Sequence, residues 1–344
     1  MTFLIQHFKY SLIVTAIGLS TAFLWGGVTG VFVVAILGIL EVSLSFDNAV
    51  VNASVLKDMH PIWQDRFLTW GILIAVFGMR LLFPIVIVTE TSDLGMIEVV
   101  KMALGDPDRY SEHLLTAHAE ISAFGGMFLL MVFLSFLFNE KDLYWLGTIE
   151  EKLAKMGHIK SNEMLISLGV LLFVQHFLPL EHKLSSLLAG VGGIFLFSLI
   201  HTVSELFTEK EGEVMAYTAK HAGVMGFLYL EVLDASFSFD GVIGAFAITK
   251  DIIIIMLGLG IGAMFVRCLT VYLVEQGTLD EYVFLEHGAH YAIGALAFIM
   301  LISTQIEVPE VITGLIGATF IGLALFSSIK YKKNIPPQEQ EETA

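Results

Sequence analysis

Polar residues divide this chain into ten predominantly apolar runs, at 9–26, 28–56, 66–89, 115–138, 162–179, 184–206, 220–248, 251–275, 288–304 and 309–330. A helix needs about 20 such residues to cross the hydrocarbon of a bilayer. The pattern therefore predicts an all-α polytopic membrane protein with about ten transmembrane helices. The only punctuation between 162–179 and 184–206 is Pro179, Glu181, His182 and Lys183. Three polar stretches remain. Residues 90–114 form an acidic loop. In 139–161, Trp145, Leu146, Ile149, Leu153 and Met156 alternate with charges at helical spacing, as in an amphipathic helix lying on a membrane. The Gln- and Glu-rich end, 331–344, reads as a disordered tail.

The two longest runs carry the same polar string. Glu41-Val-Ser-Leu-Ser-Phe-Asp-Asn48 aligns without a gap on Asp234-Ala-Ser-Phe-Ser-Phe-Asp-Gly241, pairing Glu41 with Asp234, Ser45 with Ser238 and Asp47 with Asp240. Each string is followed, one run later, by an intramembrane arginine, Arg80 or Arg267. The next run opens on His118-x6-Gly125 in the first case and His287-x6-Gly294 in the second. This spacing predicts two three-helix repeats, 28–138 and 220–304. They are joined by a surface segment and two spans (139–219), preceded by a first helix (1–27) and followed by a last span (305–330) and the tail (331–344). Five spans separate the starts of the two repeats, and an odd offset makes them inverted. Without the break at Pro179–Lys183 they would be parallel.

Composition fits this class. Only 15% of the 344 residues are charged and the mean hydropathy is +0.79, whereas about a quarter of residues carry charge in soluble proteins. The net charge of -16 comes largely from loop carboxylates, and no basic face offers a nucleic-acid surface. A single cysteine, Cys268, excludes an intrachain disulfide. Loops on the side of the two termini hold twelve Lys and Arg. The other side holds Lys101, Arg109, Lys183 and Lys250, which puts both termini in the cytoplasm, expected here of a bacterial inner membrane.

An ionised carboxylate inside a membrane is expensive and marks a functional site by default. Glu41, Asp47, Glu231, Asp234 and Asp240 carry five formal negative charges against two on Arg80 and Arg267. Carboxylate, hydroxyl, amide and carbonyl oxygens are hard donors that suit Mn2+, Mg2+ or Ca2+. Asp47 and Asp240 are the first-choice ligands, then Glu41, Asp234 and Glu231, with Asn48, Ser45 and Ser238 completing the shell. Arg80 and Arg267 balance charge, and His118 and His287 are accessory candidates. Glu41 and Asp47 are six residues apart, about 120° around a regular helix, so both strings are expected to unwind near Ser-Phe-Asp to aim them at one ion. Competing readings give the acids a structural Asp–Arg role and let the serines bond their own helix backbone.

At these residues the sequence resembles TerC-type integral membrane proteins of the LysE-like transporter superfamily, in a branch of unknown function. Their first signature, Glu-x-x-Leu-Ser-x-Asp-Asn, is similar to Glu41, Leu44, Ser45, Asp47 and Asn48. The second is similar to Glu231, Asp234, Phe237, Ser238 and Asp240. The Gly-Ala-His step before a late helix resembles Gly288, Ala289 and His290. The resemblance implies manganese export. The expectation is a secondary transporter in the lipid bilayer that exports a divalent cation, Mn2+ or Ca2+, against protons, with no permanent cofactor. No Gly-x4-Gly-Lys-(Ser/Thr), Gly-x-Gly-Asp or His-Glu-x-x-His string points to nucleotide use or enzyme chemistry. The rival is a non-transporting membrane scaffold for stress resistance or assembly.

Overall fold

The computed structural model describes residues 8–92, 94–157, 162–208, 215–306 and 308–334. Every regular element among them is helical: α1 Lys9–Leu44, α2 Phe46–Leu56, α3 Pro61–Leu73, a π-helical segment Ile74–Leu82, α4 Phe83–Thr91, α5 Met96–Gly105, α6 Pro107–Thr116, α7 His118–Phe138, α8 Thr148–Met156, α9 Asn162–Phe177, α10 Leu180–Thr208, α11 Met215–Ile248, α12 Ile252–Glu275, α13 Thr278–Glu281, α14 Leu285–Ser303 and α15 Glu310–Asn334. Among the described residues, seven helices are long and apolar enough to cross a membrane: Lys9–Leu44, Pro61–Glu90, His118–Phe138, His182–Val203, Ile252–Glu275, Leu285–Ser303 and Val311–Lys333.

α1 is not one rod. A straight helix of its 36 residues would run to about 54 Å, far beyond the hydrocarbon thickness. At Gly27 the backbone takes φ 61° and ψ -151°, a region open essentially to glycine alone, and the chain folds back. Both arms then pack on α12. On the first arm, Ser11 Oγ lies 3.3 Å from the Met264 carbonyl and 3.1 Å from Cys268 Sγ. On the second, Leu37 and Gly38 lie against Gly258, and Glu41 against Gly262. At the fold-back, Trp25 Nε1 donates to Asp251 Oδ2 (2.8 Å), while Asp251 Oδ1 caps α12 by accepting from the Ile253 and Ile254 amides.

α3 runs parallel to α11, with Trp63 against Gly223 and, two turns further along both helices, Gly71 beside the Glu231 side chain. Phe133 fills the space over Gly294 while Gly126 meets Leu301, which orients α7 against α14. α7 and α12 form the middle of the bundle, with 72% of their apolar windows buried, against 22% for α1 and for Val311–Lys333 at the rim. The rim turns large side chains outward, among them Leu24, Phe173, Leu180 and Phe326, as lipid contact requires.

The polar stretches differ from the expected loops. The 90–114 stretch contains α5 and α6, pinned by buried Tyr110 against Phe246 (6.0 Å between rings) and by Asp108 against Lys250 (2.5 Å). The surface helix shortens to the nine residues of α8, entered through Gly147. α15 continues to Asn334, so the stretch 331–334 is helical rather than part of a tail. Residues 335–344 lie outside the described residues.

Candidate functional site

The two strings meet. α11 carries Glu231, Asp234 and Ser238 on one face at spacings of three and four. The α1–α2 junction presents Glu41, Ser45 and Asn48 at spacings of four and three. A small cavity sits between them, lined by Glu41, Ser45, Asn48, Asp234 and Ser238, with Arg80 and the apolar Ala263 and Val266 closing it. Its volume of about 10 Å3 is at the lower limit of what admits a single water. Glu41, Asn48, Asp234 and Ser238 are all buried, and Ser238 Oγ has no partner.

The arginines enter from either side. Arg80 stands on the π-helical segment, with Nη1 donating to the Ala75 carbonyl five residues back (2.7 Å) and Nη2 paired to Glu41 Oε1. Arg267, on α12, donates to both oxygens of Glu231 (3.0 and 3.2 Å), to Asp234 Oδ2 (2.9 Å) and to the Phe67 carbonyl (3.2 Å), and lies 4.3 Å over the Phe67 ring. Gly71 makes room for it, since a Cβ there would fall 2.1 Å from Arg267 Nη1. Three carboxylates and two guanidinium groups leave this cluster one formal negative charge when all are ionised. Among the described residues, no three His, Cys, Asp or Glu side chains are placed to hold a metal together. A hard cation here would draw on Glu41 and Asp234 with Ser45, Asn48 and Ser238.

The expected ligand order needs correcting. Asp47, a first choice, does not line the cavity. Its Oδ1 accepts from the Asn48 amide (3.0 Å), and its side chain turns to Gly317 of α15, whose Cβ position lies 2.5 Å from Oδ2. The chain breaks only at Ser45 (φ -101°, ψ 19°), between α1 and α2, which is too little to swing Asp47 round beside Glu41. The second string does not unwind at all, and α11 is continuous from Met215 to Ile248. The side chain of Asp240, the other first choice, lies outside the described residues. His118 is 3.3 Å from Ser122. His287 is near the other end of the bundle, against the Leu143 carbonyl (3.1 Å) and buried Glu150 (3.4 Å). Neither histidine joins the cavity. Ser43 and Ser236 bond their own helices, to Ile39 and Val232.

Several participants escaped the sequence reading. Phe67 and Gly71 are four apart on the face toward Arg267, a spacing visible in the sequence but not distinctive. Asn52, one turn beyond Asn48 on the same face, is fully buried with neither amide atom bonded. Glu150 is also fully buried, paired to Lys141 (3.7 Å) as well as His287. Burial lowers the pKa of Lys141, and Glu150 opposes that shift.

No curated protein and no solved structure matches the chain. The expected TerC and LysE-like membership is overturned, because no TerC family matches and another family does. The strings behind that resemblance are short, and the matching region starts at Phe46, leaving Glu41, Leu44 and Ser45 of the first signature outside it. The family matched over residues 46–335 is described as "Protein of unknown function (DUF475)", and the chain belongs to it.

Proposed function

We propose that this protein is a secondary transporter that exports a hard divalent cation, Mn2+ or Ca2+, in exchange for protons, through the cavity between the two acidic strings. The supporting observation is the cavity itself. Two copies of one acid–serine string, from opposite halves of the sequence, converge on a small buried space with hard oxygen donors and an uncompensated negative charge. Structural glue between helices needs one carboxylate per arginine, and here a third is present. Counting the α1 arms separately, and α9 and α11 as spans, gives ten crossings. The units 28–138 and 220–304 then run in opposite senses, and both termini sit on the Lys- and Arg-rich, cytoplasmic side.

In this reading the bound ion replaces its water shell with carboxylate and hydroxyl oxygens, and protons compete for the same carboxylates. Nothing is made or broken covalently. The pairing of both arginines with the acids also suits a non-transporting scaffold, and one experiment separates the two. Full-length protein in vesicles loaded with Mn2+ or Ca2+ should release the ion when an inward proton gradient is imposed. Glu41→Gln and Asp234→Asn should each stop release while the protein stays folded in the bilayer. A wild type that moves neither ion under any gradient would leave the scaffold.

A further inference from the structure

The two arginines are equivalent in sequence but not in structure. Arg267 does not line the cavity. It is held by two carboxylates, a backbone carbonyl and an aromatic face, and ties α3, α11 and α12 together. Arg80 does line the cavity and holds one carboxylate, Glu41. Its other bonded partner, the Ala75 carbonyl, belongs to its own nine-residue π-helical segment, so no second helix braces it as α3 braces Arg267. A π-helical run of that length is rare, and π-helical turns are frequent at functional sites; shifting its i→i−5 backbone bonds to i→i−4 would rotate Arg80 relative to the cavity.

Charge completes the argument. With Arg80 docked, Glu41, Glu231, Asp234 and Arg267 together with it sum to one negative charge, matched by one proton. With Arg80 withdrawn, the remaining four sum to two negative charges, matched by one divalent cation. We infer that Arg80 is a displaceable internal cation: it occupies the Glu41 side of the cavity when no ion is bound, and leaves with a register change of Ile74–Leu82 when a divalent ion enters. Arg267 stays in place in both states. This deepens the transport reading and rests on it.

The test is Mn2+ binding to full-length protein in detergent, read by the loss of the free-ion paramagnetic signal. Arg80→Gln should bind Mn2+ tighter by about tenfold or more, since a like charge a few ångströms away shifts charge binding by about one to three powers of ten. The same variant should release Mn2+ more slowly from vesicles. Arg267→Gln should lower thermal stability without tightening binding. In the wild type, saturating Mn2+ should change amide hydrogen exchange in Ile74–Leu82 while leaving Ile252–Glu275 unchanged, a readout that stands even if Arg80→Gln does not fold. If Mn2+ binds the wild type but neither the Arg80→Gln affinity nor exchange in Ile74–Leu82 changes, Arg80 is a fixed structural group and the transport reading survives. If neither Mn2+ nor Ca2+ binds wild type or variant, the transport reading falls and this inference with it.

Discussion

The first string and the second share residue types, spacing and a following arginine, yet they end in unlike surroundings. The second lies on an unbroken helix, and its two acids, Glu231 and Asp234, converge on one guanidinium held by four hydrogen bonds and a ring. The first is interrupted at Ser45, sends Glu41 and Asp47 to different neighbours, and meets an arginine on a π-helical turn. A duplicated sequence thus supplies one braced half and one loose half. The difference comes from the partner helix: α3 brings Phe67 and Gly71 to Arg267, while Arg80 has only its own helix and Glu41.

The comparison can be broken most sharply at the braced half. Arg267→Met leaves two buried carboxylates without a counter-charge, and breaking such a pair costs about 3–5 kcal/mol. Melting in detergent should show a far larger drop for Arg267→Met than for Arg80→Met; equal drops would erase the distinction. Next, Glu41→Gln and Asp234→Asn should abolish ion release from vesicles, whereas Asp47→Asn, off the cavity, should retain a measurable fraction. Equal loss in all three would put Asp47 back among the ligands. Gly71→Ala drives a methyl into the space of Arg267 Nη1 and should destabilise by about 1–3 kcal/mol, with the equivalent change at Gly78, which faces only Ile74, costing less. Smallest in its effect on the site, Gly27→Ala should cost about 1–3 kcal/mol by forcing a side chain into a glycine-only backbone region, lowering the melting point while leaving ion affinity unchanged.

Much of this was legible from polar residues set in apolar runs. Such residues are rare enough that Glu41, Asp234, Arg80 and Arg267 stand out singly, and the gapless duplication joins them. The sequence separates 9–26 from 28–56 by length alone, and the fold-back at Gly27 falls between the two. What sequence does not carry is azimuth. Asp47 looks like the strongest ligand by position in the string, but which way it points depends on how far the chain turns at Ser45. The π-helical register left no trace either: Ile74 to Leu82 reads as ordinary apolar helix, and the extra residue per turn shows only in the backbone, where the Phe83 amide donates to the Gly78 carbonyl five residues back. The buried Glu150 resembled any solvated charge on a surface helix until Lys141 and His287 closed over it.

Diffraction from Mn2+-soaked crystals of the full chain, collected at the manganese absorption edge, tests the central claim most directly. The account predicts one buried anomalous peak between Glu41 and Asp234, with carboxylate oxygens about 2.0–2.6 Å from it, as hard-cation coordination requires. It also predicts that this peak vanishes in Asp234→Asn. A peak only among the exposed acids Asp106, Asp108 and Glu112, or no peak in a crystal that holds Mn2+ elsewhere, would contradict it.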